Sequence, residues 1–160
     1  MISRVDDVED RAAVPTFGHV GADRRLHEEE SSVKYVILIH SNPQPWGHPT
    51  SAHTSEYQAL AAQQKEDLGA RWEEVFGDAD AKGEIIYGCA LGDPASSRVF
   101  HFQGEPLPID GPYAESKEHL AGFFVIDVES QERAEEIAAA FSCPGDTVEL
   151  RPTMRPGAES

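Results

Sequence analysis

The segment Asp110-Gly111-Pro112-Tyr113-Ala114-Glu115-Ser116-Lys117-Glu118 gathers the carboxylates of Asp110, Glu115 and Glu118 around the amine of Lys117. A cation beside carboxylates keeps them ionised, which suits proton abstraction from a small substrate held at the mouth of a cleft. On this reading Asp110, Glu115 and Lys117 are catalytic, and Glu118 and the Tyr113 ring contact the ligand. The same residues have a plainer reading. An Asp before Gly-Pro accepts neighbouring backbone N–H groups and shapes a turn, and the charges that follow make a solvated, salt-bridged loop.

The second group with chemical potential is His40, His48, His53 and His101, with Trp46 as an apolar wall beside them. His40 ends the first strand, where ligand clefts open, and is the fourth catalytic candidate; Trp46 and His101 are candidate ligand contacts. The histidines lack any zinc-site spacing, so no metal is expected. No G-x-G-x-x-G, phosphate loop or G-x-S-x-G elbow is present, which disfavours nucleotide-dependent and serine-hydrolase chemistry, and no organic cofactor is expected. Cys89 lies in an apolar run and reads as core, and Cys143 sits in a Cys-Pro-Gly turn.

The elements that must position these residues follow from hydrophobic period. Val33 to Ile39 is a β-branched and aromatic run of strand length. Tyr57, Leu60, Ala61, Gln64, Leu68, Trp72 and Val75 mark one face at helical spacing, predicting a long helix from about Ser55 to Phe76 that Gly77 stops. Glu84 to Leu91 and Ser97 to Gln103 read as strands joined at Gly92-Asp93-Pro94 as a hairpin, with Leu107 to Ile109 as a short return strand. Leu120 to Val128 is the most hydrophobic strand. Ser130 then caps a helix whose apolar side is Ala134, Ile137, Ala138 and Phe141, and Thr147 to Arg151 is the last strand. This order predicts an α+β, ferredoxin-like (split βαβ) domain with an inserted hairpin. Its helices cover one face of the sheet, and a second copy packed face to face would cover the other, so self-association as a homodimer is expected.

Of the 160 residues, 39% are hydrophobic and 26% charged, enough for one core without staples. With 29 acidic against 13 basic side chains the formal net charge is -16, and no basic stripe follows a phosphate backbone, which disfavours direct nucleic-acid binding. The two cysteines have no C-x-x-C spacing, and no stretch reaches the roughly 18 to 20 apolar residues of a membrane span. A cytoplasmic protein without membrane contact is the expectation.

Residues 1–32 are acidic and lack sustained periodicity, as in a disordered extension. If Glu28 to Glu30 are encoded by GAG codons, they form a purine-rich ribosome-binding sequence just ahead of a Val33 that a GTG start codon would explain. One reading therefore begins the native protein at residue 33, with 1–32 untranslated; the other keeps a real acidic tail. Residues 155–160 read as a frayed end.

The Asp110-Gly111-Pro112-Tyr113 tetrapeptide, the Ala114-Glu115-Ser116-Lys117-Glu118 run, the Leu120 to Val128 strand and the closing Val148-Glu149-Leu150-Arg151-Pro152 together resemble the YCII-related, DGPF-motif family. The resemblance covers Val33 to Met154, with Tyr113 in place of the usual Phe. It implies a dimeric α/β barrel of ferredoxin-like subunits. Some actinobacterial members are linked to extracytoplasmic-function sigma factors, and related enzymes include a dehydrochlorinase acting on a chlorinated lactone. Those relatives use a His on the first helix with a nearby Asp. This chain has no His between Ser55 and Phe76, so that pair does not carry over.

Two readings of function follow. In the first, a dimer cleft binds a small polar metabolite or transforms it by proton-transfer or lyase-type chemistry without an organic cofactor. In the second, the domain is a non-catalytic regulatory or interaction module of a sigma-factor system, whose acidic surface meets a basic partner.

Overall fold

The computed structural model describes residues 33–102, 104–111 and 117–154. The expected N-terminal extension and the 155–160 tail lie outside them, as do Tyr113 and Glu115.

The first strand, β1 (Val33–Ser41), shows the period of two that a half-covered sheet imposes. Tyr35, Ile37, Ile39 and Ser41 are buried, while Val36, Leu38 and His40 between them are only partly covered. It lies centrally, antiparallel to β5 (His119–Val128) on one side and β6 (Thr147–Pro152) on the other. β2 (Ile85–Ala90) pairs with the far edge of β5, giving the order β2-β5-β1-β6. The result is a mixed α+β domain on an open antiparallel sheet, compatible with the ferredoxin-like plan.

Among the described residues three α-helices accompany the sheet: one turn, α1 (Ser55–Gln58), then α2 (Ala62–Ala81) and α3 (Gln131–Ala140). α3 follows its sequence pattern closely. Ser130 accepts the Arg133 N–H at 3.1 Å as the N-cap, and Ala134, Ile137, Ala138 and Phe141 are buried against Ile37, Ile126 and Val128 of the sheet. An aromatic cluster closes the core, with Phe124 and Phe141 centroids 4.4 Å apart and Trp72 stacked on Phe76 at 4.6 Å.

Two expectations need correction. The single helix from Ser55 to Phe76 is interrupted at Ala59–Ala61, where the Thr54 side chain caps α1 and the Gln64 side chain accepts the Ala61 N–H at the start of α2. Gly77 does not end α2. The helix runs through it and stops at Gly83, whose φ of 72° supports bonds from Gly83 N to Asp80 O and from Glu84 N to Ala79 O. That pairing satisfies the last carbonyls, and it wins because the apolar face continues to the fully buried Ala79.

The second correction concerns the hairpin. The strand after Gly92-Asp93-Pro94 does not return along β2, whose partner is β5. Asp93 instead accepts the Ala95 N–H and caps a 3-10 turn at Pro94–Ser96, and the chain leaves the sheet. β3 (Arg98–Phe102) pairs with β4 (Pro106–Asp110) in a separate two-stranded ladder running from Arg98↔Asp110 to Phe102↔Pro106. No helix among the described residues is long and apolar enough to cross a membrane.

Candidate functional site

The end of β1 is where polar residues from distant parts of the chain meet. Ser41 is fully buried and pairs with His119, the first residue of β5, and the chain then turns through a buried Pro43. The loop folds back on itself through Gln44 N to His53 O at 2.8 Å. The His53 ring lies against Gly47, where a Cβ would stand 2.9 Å from His53 Nε2. Trp46 is turned toward His119, with ring centroids 6.5 Å apart.

The loop is tied to the turn between α3 and β6. Thr54, almost fully buried, has its hydroxyl 3.0 Å from both Ser51 O and Pro144 O and donates to one of them. Gly145 has a φ of 90°, and a Cβ there would lie 2.8 Å from Thr54 Cβ and 2.7 Å from Glu56 Oε2, so the turn needs glycine on two counts. This approach brings Ser51 to Asp146, and the Ser51 hydroxyl donates to Asp146 Oδ2 at 2.5 Å.

Burial holds the Asp146 carboxyl above its ordinary pKa, and the charges of Glu118 and Glu56 push it the same way, against the hydroxyls of Ser41 and Ser51. Ser41 Oγ and Asp146 Oδ1 are both buried and have no hydrogen-bond partner among the described residues. The Ser41 hydroxyl is thus near enough to favour the carboxylate but closes no bond with it. Burial also raises the Cys143 thiol, with Ser51 working against this and the Asp146 charge adding to it, so the side chain is a neutral thiol rather than a poised nucleophile.

Ser51 and Cys143 form part of the wall of a cavity of about 140 Å3 on the helix side of the sheet. Ile39, Phe124, Phe141 and Trp72 supply its apolar floor, and His48 and Thr50 stand at the polar rim. Gly122 keeps β2 close here, since a Cβ would meet Cys89 O at 2.9 Å. Among the described residues no Lys or Arg lines this cavity.

The residues picked from sequence are spread around this centre. Asp110 is the last residue of β4, opposite Arg98, and Gly111 N donates to Ser97 O at 2.9 Å; the Asp110 side chain itself lies outside what the structure describes. Lys117 and Glu118 are exposed, and Glu118 is near enough for its charge to act on Asp146. Trp46 faces His119 near the β1 end, and His48 reaches the cavity rim. His40 alternates with the buried Ile39 and Ser41, and its Nε2 lies 3.7 Å from Glu149 Oε2. His101 is half-buried on β3. Among the described residues no group of three His, Cys, Asp or Glu side chains is arranged to hold a metal ion. Ser41, Ser51, Asp146 and His119 were not singled out from sequence. The only local signal was the Cys143-Pro144-Gly145 turn just before Asp146.

The family model for the YCII-related domain matches residues 33–154. The chain belongs to the YCII-related family. It is also similar to an uncharacterised protein of Rhizobium meliloti (strain 1021), 42% identical over 48 residues, which are 30% of this chain. The matched stretch spans 39% of that relative's length. Within the YCII-related domain, the site described above is built by the β1 end, the loop to Thr54, and the Cys143 to Asp146 turn.

Proposed function

We propose that this YCII-related domain holds a small polar metabolite in the cavity beside Ser51 and, where it transforms it, does so by proton transfer without an organic cofactor. The observation that supports this most is the Ser51–Asp146 pair: a half-buried carboxyl held toward its protonated form, one hydroxyl away from an apolar pocket. The segment from Asp110 through Tyr113, Glu115 and Lys117 leads into His119, beside Ser41, and is proposed to supply further ligand contacts at the mouth. A homodimer joined through the second sheet face completes the cleft in this reading.

The test is a thermal-shift screen of the full chain against a metabolite panel, repeated with Ser51→Ala and Asp110→Asn. A ligand at about 100 times its dissociation constant stabilises by about 2.7 kcal/mol. A hit lost in Ser51→Ala supports the cavity, one lost in Asp110→Asn adds the loop, and a hit indifferent to both overturns the assignment.

The second reading, an interaction module, is favoured by a different observation. Phe100 and Phe102 stand 63% and 78% exposed on β3. If this arm docks a sigma-factor system, Phe100→Ser with Phe102→Ser abolishes co-purification with the sigma factor and leaves ligand-induced shifts intact.

A further inference from the structure

The polar end of the cavity specifies what its ligand must offer, and this inference rests on the cavity being the ligand site. Ser51 has one hydroxyl proton, and at 2.5 Å from Asp146 Oδ2 that proton is committed away from the cavity it lines. Toward the ligand Ser51 therefore presents acceptor lone pairs. A ligand group that meets Ser51 must therefore donate, and an uncharged hydroxyl does so.

Charge narrows the class further. Glu56 and Glu118 act on Asp146, no Lys or Arg among the described residues lines the cavity, and a ligand carboxylate or phosphate there would face like charge. Size narrows it again. An apolar cavity of about 150 Å3 is large enough for a benzene ring, and about 140 Å3 is present here above Ile39, Phe124, Phe141 and Trp72. We infer that the cavity takes an uncharged, single-ring hydroxy compound, with the ring on the aromatic floor and the hydroxyl at the Ser51 end.

The probes are phenol, toluene of nearly the same shape without the hydroxyl, and benzoate as the anion. Each is titrated into the 15N-labelled full chain and followed by amide chemical shifts. Phenol is expected to move Ser51, Gly122, Phe141 and Asp146 and to bind about tenfold more tightly than toluene, the ratio expected for one buried hydrogen bond. Benzoate leaves those amides in place, and Ser51→Ala brings phenol down to the affinity of toluene. Equal affinity for phenol and toluene in the unaltered chain, or benzoate binding at the same amides, overturns the inference whatever the variant does. If a panel metabolite moves these amides and phenol does not, the hydroxylated-ring class alone falls. If no probe and no metabolite moves them, the cavity itself is not the ligand site.

Discussion

Ser51 and Asp146 are joined by a 2.5 Å hydrogen bond across 95 positions of sequence, and together with the Thr54 hydroxyl beside Pro144 O this contact ties the loop after β1 to the turn before β6. Asp146 also records the electrostatics of the place, since burial and the charges of Glu118 and Glu56 outweigh the two serine hydroxyls that favour its ionisation.

An acid whose pKa is raised on folding binds its proton more tightly in the folded state. Its contribution to stability is complete below the unfolded pKa and is lost as the pH rises through the folded one. Asp146→Asn removes that loss. In paired thermal melts between about pH 4 and about pH 7, the variant should gain on the unaltered chain as pH rises. A difference that is flat, or that grows in the opposite direction, would show that the serine hydroxyls dominate.

Two glycines should respond oppositely to the same substitution. Gly145→Ala forces an L residue to a φ of 90° and drives a Cβ against Thr54, and it should destabilise by about 2 kcal/mol or more. Gly77 lies within α2, and a methyl group placed on its Cα would meet nothing within 4 Å, so Gly77→Ala should stabilise by about 1 kcal/mol. Urea unfolding measures both, and a stable Gly145→Ala variant would mean that the turn is not held as described.

The same pair shows where sequence reasoning succeeds and where it stops. β1, β5 and α3 were legible because their signals are local: a β-branched run, an apolar run, and a serine cap ahead of an i, i+3, i+4, i+7 stripe. The end of α2 was not, because Gly77 and Gly83 look alike until the burial of Ala79 shows how far the apolar face continues. The partner of β3 was equally hidden, since Gly-Asp-Pro supplies hairpin chemistry and cap chemistry alike, and only the pairing of β2 with β5 decides between them. Ser51 and Asp146 belong to no motif, and their meeting depends on Thr54 and Gly145 bringing two loops together.

Arg133 on α3 is 13% exposed and bonds Glu84 through both Nε and Nη2, Asp78 at 2.6 Å and Glu136 at 2.7 Å, joining α3 to the end of α2 and the approach to β2. The Glu84 bond, with those to Glu136 and Asp78, pushes the guanidinium pKa upward. Arg133→Met strands the similarly covered Glu84 without a counter-charge and should cost about 3 kcal/mol in urea unfolding. The paired change with Glu84→Gln should recover much of that loss, because the penalty comes from the stranded charge. Additive losses in the double variant would assign the effect to packing instead.

The sheet face opposite the helices supplies the last prediction. Val36 and Leu38 of β1 stand in register with Val125 and Phe123 of β5, and Tyr87 of β2, 57% exposed, lies 5.9 Å from the Phe123 ring. These side chains make an apolar strip, with the ion-paired Glu149 and Arg151 of β6 at its margin. If a second copy covers the strip, the unaltered chain sediments at twice its own mass. Leu38→Glu places a charge at the centre and should halve that mass without changing the far-UV circular dichroism, because Leu38 points away from the Ile37 core. Arg151→Ala, at the margin, should leave the dimer intact, since a rim charge contributes little to affinity. A monomeric unaltered chain would remove the dimer cleft from the functional proposal, and the cavity beside Ser51 would then have to serve within one subunit.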